Sequence, residues 1–294
     1  MLENTDADEK TKTIAMTKAL SALAEEMRKG TAPVDFSNRI FSMLYETTGT
    51  LDPFADVKRL SNKVAMSLLP RAWEEVRTSE EDERLRKAAL IAIAGNELDV
   101  STGSHTFSLD NLWGRIEATL QQGLQIDHSG LLSGPLSDPT SIFMVGDNAG
   151  EIVLDIPLIR VIRQTGARVY YVVRGGPIAN DATIKDVAEV GLQREVDAVA
   201  TTGKRAFGLS LNDLPSEAKE LLAESSIVIA KGQSNYESLN WAEVGVPVCF
   251  LFKVKCAPIG RTISMPVGSN VLMLKEWDKS RHGCQRRGTL ATGS

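Results

Sequence analysis

Three side chains, Asp147, Asn148 and Asp181, offer hard oxygen donors within two short segments. These are Gly146-Asp147-Asn148-Ala149-Gly150-Glu151 and Arg174-Gly175-Gly176-Pro177-Ile178-Ala179-Asn180-Asp181. No histidine or paired thiol lies beside them. Oxygen-only sets with few carboxylates suit Mg²⁺ or Mn²⁺, with water and substrate phosphate completing the shell. Glycines at 150, 175, 176, 203 and 232 let backbone N–H groups approach an anion, and Lys231 or Lys255 could neutralise phosphate oxygens. Phosphoryl transfer asks for this combination, because its catalysis is mostly positioning and charge stabilisation. Each piece also has a plainer reading. Asp147-Asn148 and Asn180-Asp181 are good helix caps, Gly175-Gly176-Pro177 is turn chemistry, and lysines at strand ends are often solvated. Their joint occurrence at several strand ends favours a site.

The elements that position these residues read as strand–helix alternation. Short apolar runs fall at 141–146, 167–173, 197–200, 227–230, 246–254 and 270–274, with helical stretches at 151–164, 182–190, 216–223 and 236–244. Such alternation implies βαβ units and a parallel sheet covered on both faces. Ligands of such sheets bind beyond the carboxyl ends of the strands, where Asp147, Asp181, Lys231 and Lys255 fall. Pro157 predicts a kink in the first of these helices. The run 246–254 reads as a buried central strand that would send Lys255 into the crevice.

The first ~125 residues read as helical. One stretch carries Leu20, Leu23, Ala24 and Met27 on a face, and the next carries Phe36, Ile40, Phe41 and Leu44. Asp52-Pro53 is a helix-start signal, and Pro70 should end or kink the helix that follows. Residues 80–96 form a helix with Leu85, Ala88, Ala89 and Ala92 buried, and 108–122 another with Leu112, Ile116 and Leu120 in line. Gly130–Pro139 reads as a linker. The expected division is a helical region at 1–130 packed on the sheet, an α/β domain at 131–278, and a polar, basic tail at 279–294 that should fray. Tryptophans 73, 113, 241 and 277 are expected to pack.

Composition narrows the function. With 33 basic against 38 acidic residues the formal net charge is −5, a poor basis for nucleic-acid binding, which needs a cationic surface. No apolar run approaches the roughly 20 residues that span a bilayer, and the charged N-terminus is no signal peptide. Three cysteines with no CxxC spacing argue against a zinc knuckle and suit a reducing cytosol.

The same residues carry a resemblance. Gly146–Glu151, Arg174–Thr183 (RGGPIANDAT), Lys231–Leu239 (KGQSNYESL) and Phe252–Cys256 (FKVKC) resemble, in order and spacing, the motifs of the damage-control phosphatases, long labelled domain of unknown function family 89. Ala92–Asp99 (AIAGNELD) and the set Asp52, Lys58 and Asn62 look like two upstream elements of that family. The resemblance implies a helical N-terminal region before a Rossmann-like α/β/α sandwich with a mostly parallel sheet. It implies hydrolysis of phosphate esters, often of sugar phosphates or damaged phosphometabolites, with Mg²⁺, Mn²⁺, Co²⁺ or Ni²⁺. It places the metal ligands on Asp147, Asn148 and Asp181 and the family lysine on Lys255. The CxxC pair that many prokaryotic members carry near the N-terminus has no counterpart.

The expected reaction is metal-dependent hydrolysis of small phosphate monoesters in the cytoplasm, with no nucleic-acid or membrane partner. In it Asp147, Asn148 and Asp181 hold the cation, Lys255 balances charge, and Glu151 or another carboxylate orients a water. Asp147 as a nucleophile is the alternative, which the absence of a DxDx[T/V] signature disfavours. Arg174, Asn180, Lys231, Asn235 and Glu237 are candidates to contact substrate, with Asn96, whose corner the resemblance turns towards the site. Two rival readings are an S-adenosylmethionine-dependent carboxyl methyltransferase, since Val145–Gly150 can mimic a nucleotide-binding turn, and a non-catalytic metal- or phosphate-binding module.

Overall fold

The computed structural model describes residues 1–30, 33–97, 109–132 and 140–276. Among them the helices are α1 (Glu9–Lys29), α2 (Pro33–Thr48), α3 (Ala55–Arg77), α4 (Glu81–Ala94), α5 (Leu109–Gln122), α6 (Glu151–Leu154), α7 (Ile156–Gln164), α8 (Ile184–Val190), α9 (Ser216–Ala223), α10 (Gly232–Leu239) and α11 (Ala257–Thr262). The strands are β1 (Ile126–Asp127), β2 (Ser141–Val145), β3 (Arg168–Val173), β4 (Ala198–Thr201), β5 (Ile227–Lys231), β6 (Val248–Lys253) and β7 (Asn270–Lys275).

The strands form one sheet in the order β1-β7-β6-β5-β2-β3-β4. All neighbours are parallel except β6 and β7, which run antiparallel. Alternation along β2 divides the core. Ile142 and Met144 join α3, α4, α5 and α7 in one apolar cluster. Phe143 and Val145 join Ala218 of α9 and Tyr236 and Leu239 of α10 in the other. The sheet is thus covered on both faces, as its apolar strands require. The chain leaves β2 towards β3 and β4, then crosses back to β5 on the other side of β2. The β2–β5 boundary is therefore the topological switch point, where a crevice opens beyond the strand ends.

Helices α3, α4 and α5 share the sheet's core, whereas α1 and α2 pair around a small cluster of Ala15, Ala19 and Leu44. No helix among the described residues is long and apolar enough to cross a membrane.

Several expectations need correction. The buried face of α1 is Ala15, Ala19, Ala22 and Glu26, while Leu20 is 58% and Met27 69% exposed. Small side chains admit the close approach of α2. Pro70 lies inside α3 without ending it. It sits on the exposed side, and the carbonyl that it leaves unpaired belongs to exposed Met66, where water can serve it. Helix α3 starts at Ala55, and Asp52 instead accepts from the Phe54 amide at 3.2 Å and pairs with Lys58 at 2.7 Å. In place of one kinked helix after β2 there are two, divided at Asp155, with Pro157 in the first turn of the second. The helix expected at 236–244 is α10, which starts directly at the end of β5. Trp113 is buried beneath Arg71, but Trp241 is 80% exposed rather than packed. Of the expected linker, residues 130–132 are helical. Its remainder, Asp99, Trp277 and the tail lie outside the described residues.

Candidate active site

Two loops at the switch point carry the candidate ligands, and their backbones hold them together. The loop after β2 (Gly146–Gly150) and the one after β3 (Arg174–Thr183) pair by an antiparallel bridge between Asn148 and Asp181. The Ala182 amide donates to Asp147 O at 2.8 Å, and the Ala149 amide to Asn180 O at 2.9 Å. From the other side α10 begins at Gly232 with φ +77°, where a β-carbon would lie 2.0 Å from Asp147 Oδ2. Only glycine admits the carboxylate there.

Arg174 lies between the two carboxylates and is 1% exposed. Its Nε donates to Asp181 Oδ2 at 2.6 Å and its Nη2 to Asp147 Oδ1 at 3.2 Å. The remaining donors go to Gly208 O (2.7 Å), Asn235 Oδ1 (3.0 Å) and Ser234 Oγ (3.2 Å). A guanidinium has five N–H groups, and here each has an acceptor.

Behind this layer lies a second one. Lys231 Nζ is fully buried and donates to Asp155 Oδ1 at 2.6 Å, Glu151 Oε1 at 2.8 Å and Ala92 O at 3.0 Å. That uses all three ammonium protons. Burial alone would lower its pKa, but Asp155 and Glu151 outweigh that and hold it above the usual lysine range. Glu151 Oε2 accepts from Asn96 and Asn148, both at 3.0 Å. Tyr171 donates to Asp155 Oδ2 at 2.5 Å.

A cavity of about 340 Å³ opens over the first layer. Asp147, Asn148, Asn180 and Asp181 form its floor, Gln233, Ser234, Glu237 and Lys255 one wall, and Pro33, Val34, Ser37 and Phe41 of α2 with Phe207 another. Lys255 is exposed at the rim, near enough for its charge to favour ionised Asp147 and Asp181. The α2 wall is fastened by Asn38, which exchanges hydrogen bonds with the Phe207 backbone at 2.6 and 3.2 Å.

Formal charge tests whether this set fits a cation. Asp147, Glu151, Asp155 and Asp181 are four buried carboxylates, against Arg174 and Lys231 as two buried cations. Their formal charge is −2. Burial is the first cause of the raised carboxyl pKa values here. Burial, then Asp181 and Glu151, push Asp147 up to about 7. Burial pushes Asp155 up to about 6 and raises Asp181 despite Arg174. Among the described residues no three His, Cys, Asp or Glu side chains form a ligand cluster. The donors on offer are two carboxylates and the Asn148 amide oxygen. Such a set fits a hard divalent ion that takes its other ligands from water and substrate.

The comparisons with known proteins agree with this architecture. The family model described as damage-control phosphatase ARMT1-like domain matches residues 1–271. The chain belongs to the damage-control phosphatase family. A damage-control phosphatase of Archaeoglobus fulgidus is 33% identical over 259 residues, covering 88% of each chain. One of Pyrococcus horikoshii is 33% identical over 261 residues, covering 88% of this chain and 87% of the relative. The crystal structure of a DUF89 family protein from Pyrococcus horikoshii superposes with a TM-score of 0.81 at 32% identity, covering 94% of this chain and 93% of the other. The Rossmann-like sandwich and the phosphatase class thus follow from fold and family together.

Within that family fold, the residues singled out from the sequence divide. Asp147, Asn148, Asn180, Asp181, Glu237 and Lys255 meet at the cavity. Asn96, Arg174, Lys231 and Asn235 do not line it. Lys231 and Arg174 have no donor left for a ligand, Asn235 is buried against Arg174, Gly146 O and Lys231 O, and Asn96 serves Glu151. Glu151 is 1% exposed and held at both oxygens, by Lys231 on one and by Asn96 and Asn148 on the other. Sequence reasoning missed Asp155, Tyr171, Ser234 and the Phe41–Phe207 wall. For Asp155 a signal existed: it follows Glu151 by four residues, one helical turn, in an otherwise apolar run.

Proposed function

We propose that this phosphatase is metal-dependent and hydrolyses phosphate monoesters of small metabolites, such as sugar phosphates or damaged phosphometabolites, in the cytoplasm. Asp147, Asn148 and Asp181 hold the divalent cation, of the Mg²⁺, Mn²⁺, Co²⁺ or Ni²⁺ kind. The observation that carries this reading is the buried formal charge of −2 beneath a cavity with a lysine at its rim. A divalent cation bound there supplies Lewis-acid charge to a phosphate oxygen.

The chain's own groups do the rest. Arg174 fixes the facing oxygens of Asp147 and Asp181, and the other Asp147 oxygen accepts from the Asn148 amide nitrogen at 3.1 Å. Glu151, itself anchored by Lys231, accepts from the Asn148 amide nitrogen at 3.0 Å and turns the amide oxygen the other way. Lys255 meets the phosphate at the rim and offsets the charge that grows on its oxygens in the transition state. With Glu151 withdrawn, the role of orienting water passes to a carboxylate of the cavity wall. Glu237 is half-buried there, bonded to Gln233 at 2.9 Å, and its pKa is raised by burial. The cavity, at about 340 Å³, lies at the small end of the roughly 300–1,000 Å³ typical of ligand pockets, in keeping with a small ester.

The test is a phosphate-release screen over sugar phosphates, with each divalent metal and with chelator, beside metal analysis of the protein. Asp147→Ala and Asp181→Ala are each expected to abolish release while the fold persists. Equal release with and without chelator overturns metal dependence. Methyl transfer from S-adenosylmethionine without phosphate release would replace the reading altogether.

A further inference from the structure

The α3 helix contributes nothing to the cavity wall, yet one of its side chains reaches both ligand loops. Asn62 is 1% exposed. Its Oδ1 accepts from the Gly150 amide at 2.8 Å, three residues past Asp147. Its Nδ2 donates to Asp186 Oδ1 at 3.1 Å and to Glu189 at 2.8 Å, both on α8. Asp186 closes the circuit with its other oxygen. Oδ2 accepts from Thr183 N at 2.9 Å and Thr183 Oγ1 at 2.7 Å, two residues past Asp181. Lys58, one turn before Asn62 and 3% exposed, sets Asp186 from the side at 3.5 Å and is itself held by Asp52 at 2.7 Å.

The loop after β2 is shaped to meet this brace. Gly150 has φ +79°, and a β-carbon there would stand 3.0 Å from the Ser61 backbone. The loop thus presses directly on α3, beside Asn62. A single amide therefore joins the end of one ligand loop to the helix cap of the other, over a path of three hydrogen bonds.

We infer that Asn62 is a positioning residue that ties both loops to α3, so that α3 adds to the direct backbone bridge in setting the separation of Asp147 and Asp181. The inference rests on the reading of those carboxylates as cation ligands. Asn62 touches neither the cavity nor a reacting atom. It acts through Gly150 and Asp186, as outer partners of a metal site act through the ligands they orient.

Titration calorimetry of the full chain with Mn²⁺, in the absence of substrate, tests this apart from turnover. Asn62→Ala and Asp186→Ala are each expected to weaken Mn²⁺ binding by about 10–100-fold. The double variant should be no weaker than the weaker single one, because both break the same path. If each single variant binds Mn²⁺ like the wild type, or if the two losses multiply, the brace is refuted. A wild type that binds no Mn²⁺ overturns the metal reading and the brace with it. Should Asn62→Ala fail to fold, Asn62→Asp keeps the volume and the acceptor for Gly150 but removes both donors. The same loss of affinity is expected, and wild-type affinity in that folded variant refutes the proposal.

Discussion

Lys231 and Lys255 leave neighbouring strands of one sheet at the same edge, and their surroundings give them opposite work. Lys231 ends β5, fully buried, with each ammonium proton taken by Asp155, Glu151 or a carbonyl. Lys255 stands two residues past β6, exposed at the cavity rim, its backbone amide held by Gln233 at 2.9 Å. The first is a counter-ion that lets two carboxylates exist inside the core. The second is the cation best placed to meet a ligand's charge. What separates them is the layer each strand faces. Beyond β5 lie α6 and the Asp155 break, which supply acid, while beyond β6 lies open cavity. A lysine at a strand end is thus informative about function only once the carboxylates around it have been counted.

Replacing each lysine should break the comparison in a different observable. Lys231→Met removes the cation and leaves Glu151 and Asp155 buried beside each other. Breaking a buried pair in this way costs about 3–5 kcal/mol, read as a lower urea midpoint. A loss under about 1 kcal/mol would show that the cluster relaxes or takes in water, and that the counter-ion account is wrong. Lys255→Ala should leave the urea midpoint within about 0.5 kcal/mol of wild type and leave metal content unchanged. Its turnover should fall roughly a hundredfold or more, as the loss of a preorganised donor does. Near-wild-type kinetics would remove Lys255 from the mechanism. Lys255→Arg sharpens the point at smaller scale. A planar fork is a poor substitute for a compact charge, so only part of the turnover should return, and full recovery would show that any cation at the rim suffices.

Much of this was legible in the sequence where one element had one reading. The apolar runs became β2 to β7 nearly residue for residue, because a strand buried on both faces leaves an unbroken apolar signature. Asp147, Asn148, Asp181 and Lys255 were legible as strand-end residues, since sheet topology alone carries such positions to one rim. What could not be read was partnership. Nothing local in Lys-Gly-Gln-Ser shows that Lys231 turns inward, because its partners lie 76 and 80 residues upstream. The buried face of α1 is hidden for a related reason. Leu20 and Met27 outrank Ala15 and Ala19 in hydrophobicity, but the approach of α2 is decided by size. Strand β1 has two residues, too few to leave a period.

A slope of stability with pH compares the carboxylates of the two layers with and without a cation. Asp147 is pushed up to about 7 and Asp155 to about 6, in both cases by burial first. An unfolded aspartate titrates near 3.8. Between roughly pH 4 and 7 the folded, metal-free chain therefore holds protons that the unfolded chain has lost. Stability falls with rising pH wherever the folded state binds more protons, so the contribution of these groups is present at the acid end and lost as pH passes through 6 and 7. A divalent cation reverses the sign at Asp147, because it favours the carboxylate and competes with the proton. The melting temperature of chelator-treated protein should fall by several degrees from pH 5 to pH 8, taking about 2–4 °C for each kcal/mol. Saturating Mn²⁺ should cancel the fall, with its largest stabilisation at pH 8. Asp147→Asn, which cannot ionise, should make the chelated profile shallower, leaving the part that Asp155 contributes below about pH 6, and lose most of the Mn²⁺ response. A profile that stays level or rises between pH 5 and 8 in chelator would mean that Arg174 and Lys231 already compensate the four carboxylates. The charge argument for a cation would then fail.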